Sequence, residues 1–209
     1  MSGHGVGTSP DRREVLALMV PAGAFACLLC RKGLAAAGQV KGAGAPAKHK
    51  FQAPCEMTCE EMFGFAYGES FIPMMKAMAA EVGREKLVAM LKRASCAVAE
   101  HATRDQLKKN PKNDFATFAA ELRKPNPFYE RTTTSALVED TPTSVGFRIT
   151  ECLWAKTFRA ADAADIGYVT CCYPDVAAAP VFNPKMKLIL TKTLMQGHDC
   201  CDPRWVMEA

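Results

Sequence analysis

From Val15 to Cys30 the chain carries no charge, and this run limits how much of the sequence is available to build a fold. It follows a twin arginine, Asp11-Arg12-Arg13-Glu14, and leads through Arg31-Lys32 to Ala35-Ala36-Ala37-Gly38. A basic start, an apolar stretch and a small-residue cleavage site, in that order, make an export signal. The run is shorter than the roughly 20 residues that a spanning helix needs, and Pro21 and Gly23 interrupt it. Residues 38–50 are small, polar and rich in Gly, Ala and Pro, as a flexible linker is. The expected organisation is an export signal or membrane anchor of twin-arginine type over 1–37, a flexible linker over 38–50, and a folded domain over 51–209. Residence is then periplasmic or exported, with a membrane-anchored or a cytoplasmic chain as alternatives. Any membrane contact is through an uncleaved leader.

The 209 residues are 49% hydrophobic, enough for one domain with a core and too few for two comfortable ones. The net charge of +4 suggests a nucleic-acid partner until its distribution is examined. Residues 1–50 hold seven basic and two acidic side chains, a balance of +5, so the remainder is −1. A near-neutral domain has no electrostatic reason to hold a polyphosphate, and no nucleic-acid partner is expected. The ten cysteines are clustered, and only Cys27 and Cys30 have CxxC spacing. No second such pair answers them, which argues against a zinc ribbon.

Thr58, with Glu61 three residues on and Met62, Phe63, Phe65 and Ala66 behind it, is a capping-box start. The helix is predicted to reach about Ala80, with a kink or break at Pro73. Residues 84–108 carry the strongest helical pattern, with Leu87, Met90, Leu91, Ala94, Val98 and Ala102 on the face predicted to be buried. Asn110-Pro111 ends it, and Asn113 is positioned to cap a third helix through Phe115, Phe118, Ala119 and Leu122. Residues 131–139 and 145–151, rich in Thr, Val, Ile and Phe, flank the turn sequence Asp140-Thr141-Pro142-Thr143 and predict a β-hairpin. Helical stretches are predicted from about Cys152 to Ala161 and from Asp162 to about Cys172, closed by Pro174, with a last strand over Lys187–Leu194. The class is α+β: N-terminal helices packed on a small antiparallel sheet in a single domain.

Chemistry concentrates near the C-terminal end. Cys171-Cys172-Tyr173-Pro174-Asp175 falls at a predicted helix end, and Thr191–Gly197 runs into His198-Asp199-Cys200-Cys201-Asp202-Pro203-Arg204-Trp205. A thiol attacks as thiolate and needs a base or a cation beside it. His198 and Arg204 are available for that, and Asp175, Asp199 or Asp202 for orienting the imidazole or relaying protons. Two other readings stand beside this one. Free cysteines commonly only pack. A metal held by Cys171, Cys172, Cys200, Cys201 and His198 is the other, although adjacent cysteines fit one tetrahedral ion poorly.

The segments Glu151-Cys152-Leu153-Trp154-Ala155, Ala164-Asp165-Ile166-Gly167, Cys172-Tyr173-Pro174-Asp175, Phe182-Asn183-Pro184, Thr191–Gly197, Cys201-Asp202 and Arg204-Trp205 together resemble the L-2-amino-thiazoline-4-carboxylic acid hydrolase family. The pattern is C-x-x-D after a helix, a strand ending in T-L-x-x-G, then C-D-x-R-aromatic. Pro203 departs from it and removes a backbone N–H at that step. The resemblance implies hydrolysis of a cyclic amidine-like C–N bond in a small-molecule substrate, opening a thiazoline ring towards an S- or N-carbamoyl cysteine, with no cofactor. By match to the motif, Cys172 and Cys201 are the nucleophile candidates and Asp175 and Asp202 the carboxylates. His198 is the acid/base candidate from its chemistry and position, and Arg204 is suited to hold a substrate carboxylate through paired N–H bonds. The competing expectation is an exported binding protein that holds a metal ion or small ligand through the same thiols without turnover. Cysteines in an oxidising compartment tend to pair, and pairing would remove the thiolate chemistry.

Overall fold

The computed structural model describes residues 57–208. The expected leader and the linker lie outside the described residues. Thr58 caps the first helix, α1 (Cys59–Phe63): its hydroxyl accepts the Glu61 N–H at 3.1 Å, and the Glu61 carboxylate accepts the Thr58 N–H at 2.7 Å. The helix does not break at Pro73. It widens into a π-helix over Gly64–Phe71 and continues as α2 (Ile72–Val82). A wider turn ahead of a proline moves the preceding carbonyls away from its ring, which an α-turn would not. Gly83, at φ 88°, turns the chain into α3 (Arg84–Lys109).

Next come α4 (Phe115–Leu122) and α5 (Pro127–Thr132). The cap of α4 is Asp114, whose carboxylate accepts the Thr117 N–H at 2.8 Å, and not Asn113 as predicted. The hairpin is β1 (Thr133–Thr141) and β2 (Ser144–Cys152). Then follow α6 (Leu153–Ala160), α7 (Ala164–Gly167), a π-helical turn over Tyr168–Cys172, and α8 (Pro174–Phe182). Pro174 opens α8 instead of closing a helix, at a first-turn position where no N–H is needed. The last elements are β3 (Met186–Ile189), a 3-10 turn (Leu194–Gln196) and β4 (Arg204–Met207).

The antiparallel sheet has the order β1-β2-β4-β3, so β4, which the sequence did not announce, sits inside the sheet. Pro203 stands just ahead of β4 and contributes only its carbonyl, which accepts the Phe147 N–H at 3.0 Å. Its missing N–H therefore costs the sheet nothing at that step. Two cores result. One joins Phe63, Phe71, Ile72, Leu87, Trp154, Phe158, Ile166 and Met195 from α1, the π-helix, α2, α3, α6, α7 and the 3-10 turn. The other joins Phe115, Phe118, Val145, Phe182, Leu188 and Trp205 from α4, α8 and the sheet.

The buried face of α3 is rotated from the predicted one. Leu87 is buried, but the stripe continues through Ser95, Ala99 and Thr103, while Met90 and Val98 are exposed. α8 and the second π-turn pack here, and small side chains let them approach. Ser95 Oγ donates to the Val169 carbonyl at 2.6 Å and Thr103 Oγ1 to the Ala99 carbonyl at 2.8 Å, so both hydroxyls are buried with their bonds made. Among the described residues no helix is long and apolar enough to cross a membrane.

Candidate functional site

A cleft of about 650 Å3 opens between the two cores. The segment from Glu121 to Ser135 forms one side and the sheet residues Phe147, Ile149, Leu188 and Trp205 another. Its wall also holds four thiols, Cys152, Cys171, Cys172 and Cys201, and the carboxyl of Asp175.

Each is positioned by local structure. The π-turn over Tyr168–Cys172 carries Cys171 and Cys172, and Tyr173 N–H closes it onto the Tyr168 carbonyl at 2.9 Å. Asp175 follows in the first turn of α8. Cys201 is pinned to β2 by paired bonds with Ile149, N–H to carbonyl at 2.9 and 3.0 Å, and its sulfur accepts the Leu194 N–H at 3.2 Å. Cys152 ends β2 and is the N-cap residue of α6. The seven described cysteines are free thiols. Among the described residues no three His, Cys, Asp or Glu side chains are grouped to hold a metal ion.

The cleft is electrostatically unusual because no cation pairs with its buried acids: Arg123 and Lys124, which also line it, are bonded to Asp140 and Glu121. Burial pushes the Asp175 carboxyl up to about 8, and no charged partner offsets it. Its Oδ1 is shut off from solvent and accepts no hydrogen bond. At neutral pH this carboxyl is protonated. Burial also raises Cys171 to about 12 and Cys201 to about 11. Cys172 is driven well above the thiol range by burial and by repulsion from Cys171, Cys152, Cys201 and Asp175. The indole nitrogens of Trp154 and Trp205, which line the same cleft, are buried without a partner as well. Unpaired buried polar groups cost about 1–3 kcal/mol each, so such a concentration is a mark of a site built for something else.

Of the residues singled out in the sequence, Cys172, Asp175 and Cys201 come together here. The others have different surroundings. The Asp202 carboxylate accepts the N–H groups of Thr191 and Lys192 at 2.9 and 2.7 Å and the Thr191 hydroxyl. Burial raises this carboxyl, but those bonds outweigh it and hold it below the usual range. It anchors the loop before the 3-10 turn. His198 is exposed, and its ring Nδ1 lies 3.2 Å from the Thr193 N–H, away from the cleft wall. Arg204 is turned onto the edge hairpin, with two bonds to Glu139, one of them 3.0 Å. Cys152 and the two tryptophans were not among the sequence candidates for the site. The signal for Cys152 was present: a cysteine between the end of a predicted strand and the start of a predicted helix occupies a capping position.

These features define an α+β protein with an interior site lined by thiols and one neutral carboxyl. The family model for L-2-amino-thiazoline-4-carboxylic acid hydrolase matches residues 65–205, and the chain belongs to that family. No curated protein and no solved structure is similar to the chain.

Proposed function

We propose that the chain hydrolyses a cyclic amidine of the 2-amino-thiazoline carboxylate type at the cleft between the two cores. The carrying observation is Asp175, a buried, protonated carboxyl with no charged partner and with its Oδ1 unbonded. Ring opening at an amidine carbon needs a proton for the departing nitrogen and a carboxylate for the cationic one. A carboxyl held near pKa 8 supplies both in turn: neutral, it gives its proton to the departing nitrogen, and the carboxylate left behind faces the cationic nitrogen that remains on the carbon. Net, one water is consumed and one bond at the amidine carbon is broken. Arg123 and Lys124 line this cleft, paired with Asp140 and Glu121, and a substrate carboxylate would exchange with those partners; Arg204, paired with Glu139, does not line it. Export through the twin-arginine leader is proposed with it, on the sequence of residues 1–37 alone.

The test is turnover of 2-amino-thiazoline-4-carboxylate by the wild type and by Asp175→Asn. The amide matches the carboxyl in shape and cannot release a proton, so a loss of about 100-fold or more is expected. An unchanged rate would remove Asp175 from the chemistry. One observation favours a second reading, binding without turnover. Burial holds Cys171, Cys172 and Cys201 as thiols, which pack well and attack poorly. Binding of the amidine by the wild type with no product formed would select it.

A further inference from the structure

We propose that Cys152 is the nucleophile of this cleft, attacking from the N-terminus of α6. The proposal rests on the ring-opening reading and names the atom that carries it out. Cys152 lies in one of the segments that carry the resemblance, Glu151–Ala155, but no role was assigned to it there.

Three observations meet at Cys152. The first is its backbone setting. It leaves β2 extended, at φ −149° and ψ 117°, and stands at the N-cap position of the eight-residue helix Leu153–Ala160, its side chain making no capping bond. The N–H groups at a helix start lack partners within the helix and favour negative charge. The backbone amides of Trp154 and Ala155 act on the Cys152 thiol in that sense, against the burial that raises it. The second is access. Cys152 lines the thiol cleft and also a second, more polar cleft of about 750 Å3, which holds Thr133, Thr134, Glu130 and Lys156. It stands, half-buried, on the wall that the two clefts share. The third is the surrounding site. Asp175 Oδ1, Trp154 Nε1 and Trp205 Nε1 are buried without partners, and all three residues line the cleft with it.

The electrostatics agree in direction: burial raises all four thiols, but Cys152 alone has the first amides of a helix acting against that rise, whereas nothing opposes it at Cys172.

The chemistry balances without an oxidant or cofactor. The Cys152 sulfur bonds to the amidinium carbon, and the C=N electron pair moves onto nitrogen. The ring C–N bond then breaks, its pair staying with nitrogen, which takes the Asp175 proton. Water adds to the sulfur-linked iminium carbon and returns a proton to Asp175. The bond from carbon to Cys152 breaks with its pair on sulfur, restoring the thiolate, and the last hydroxyl proton passes to the freed amine.

The experiment is site-resolved alkylation of the full chain by iodoacetamide at pH 7–9, read by mass spectrometry, alongside turnover. Cys152 is expected to react about ten-fold faster than Cys171, Cys172 or Cys201, from its place on the wall of both clefts and at a helix start. Cys152→Ser, folded by its melting transition, is expected to lose about 100-fold or more of kcat/KM, and Cys96→Ser, outside the cleft, to lose nothing. Cys152 reacting more slowly than the other three, or a folded Cys152→Ser at the wild-type rate, overturns the proposal. A wild type that turns over no amidine while Cys152 still reacts first defeats the ring-opening reading and leaves the reactive thiol standing.

Discussion

A carboxyl that folding pushes upward destabilises the native state once the unfolded chain would rather be ionised. For Asp175 the ordinary value is 3.8 and the folded value about 8. Between those two the native state keeps a proton that the unfolded state has released. Stability therefore falls as pH rises through this window, with a slope approaching about 1.4 kcal/mol per pH unit, and levels off above it. Asp175→Asn removes this one slope. Melting temperatures of the two proteins from pH 5 to 9 should diverge, with the variant gaining on the wild type as pH increases. Parallel curves would mean that Asp175 has a partner in solution. Asp202 behaves oppositely, because its bonds to Thr191 and Lys192 hold its carboxyl low. Its contribution is present at neutral pH and is lost as pH falls through the folded value. Truncation to Asp202→Ala leaves two backbone N–H groups and a hydroxyl without their acceptor, and should cost about 1–3 kcal/mol in denaturant melts.

At the scale of elements, the packing around α3 and Gly167 makes sharper claims than the sequence did. With the stripe running Leu87, Ser95, Ala99, Thr103, Leu87→Ala should cost about 2–5 kcal/mol. Val98→Ala, on the exposed side, should stay within about 0.5 kcal/mol. Equal losses would restore the predicted face. A methyl on Gly167 would lie 2.7 Å from Phe158 Cγ and from Met195 Sδ. Because Phe158 and Met195 are fully enclosed, Gly167→Ala should destabilise by about 1–3 kcal/mol through overpacking, measured by urea melts. The capping box at Thr58, the hairpin and the α+β class were legible because each rests on local patterns: a side chain three residues away, or a period of two. The α3 face was misjudged because hydrophobicity alone ranked Val98 above Ser95, whereas close helix packing selects for size. β4 was missed because its residues, Arg204–Met207, pair with β2 and β3 far along the chain. For the site, the C-x-x-D spacing did mark the two residues that share the cleft. His198 and Arg204 looked suitable by chemistry, but the local bond to Thr193 and the distant pairing with Glu139 direct them elsewhere.

The whole molecule raises the question of where the folding unit begins. A helix start leaves N–H groups that something must satisfy. At α1 the Thr58–Glu61 box does this from within, since the Thr58 hydroxyl and the Glu61 carboxylate each take a backbone N–H of the other residue. Two of the N–H groups at that end are satisfied in this way from within the described chain. The sheet is completed by β4 at the other end of the described chain, between β2 and β3. Residues 1–50 carry a +5 balance, an uncharged run and a Gly/Ala/Pro linker, a composition suited to an address and a tether. A chain that begins at Phe51 should therefore unfold in one cooperative transition, at the melting temperature of the full-length protein and with the same dependence on denaturant. The slope of that dependence reports the surface exposed on unfolding. A truncated chain with a lower slope or a broadened transition would show that the leader contributes to the core, and the boundary would then have to move toward the N-terminus. A truncated chain that melts alike but no longer leaves the cytoplasm of an expressing cell would separate the two roles, with the address in the first fifty residues and the fold in the rest.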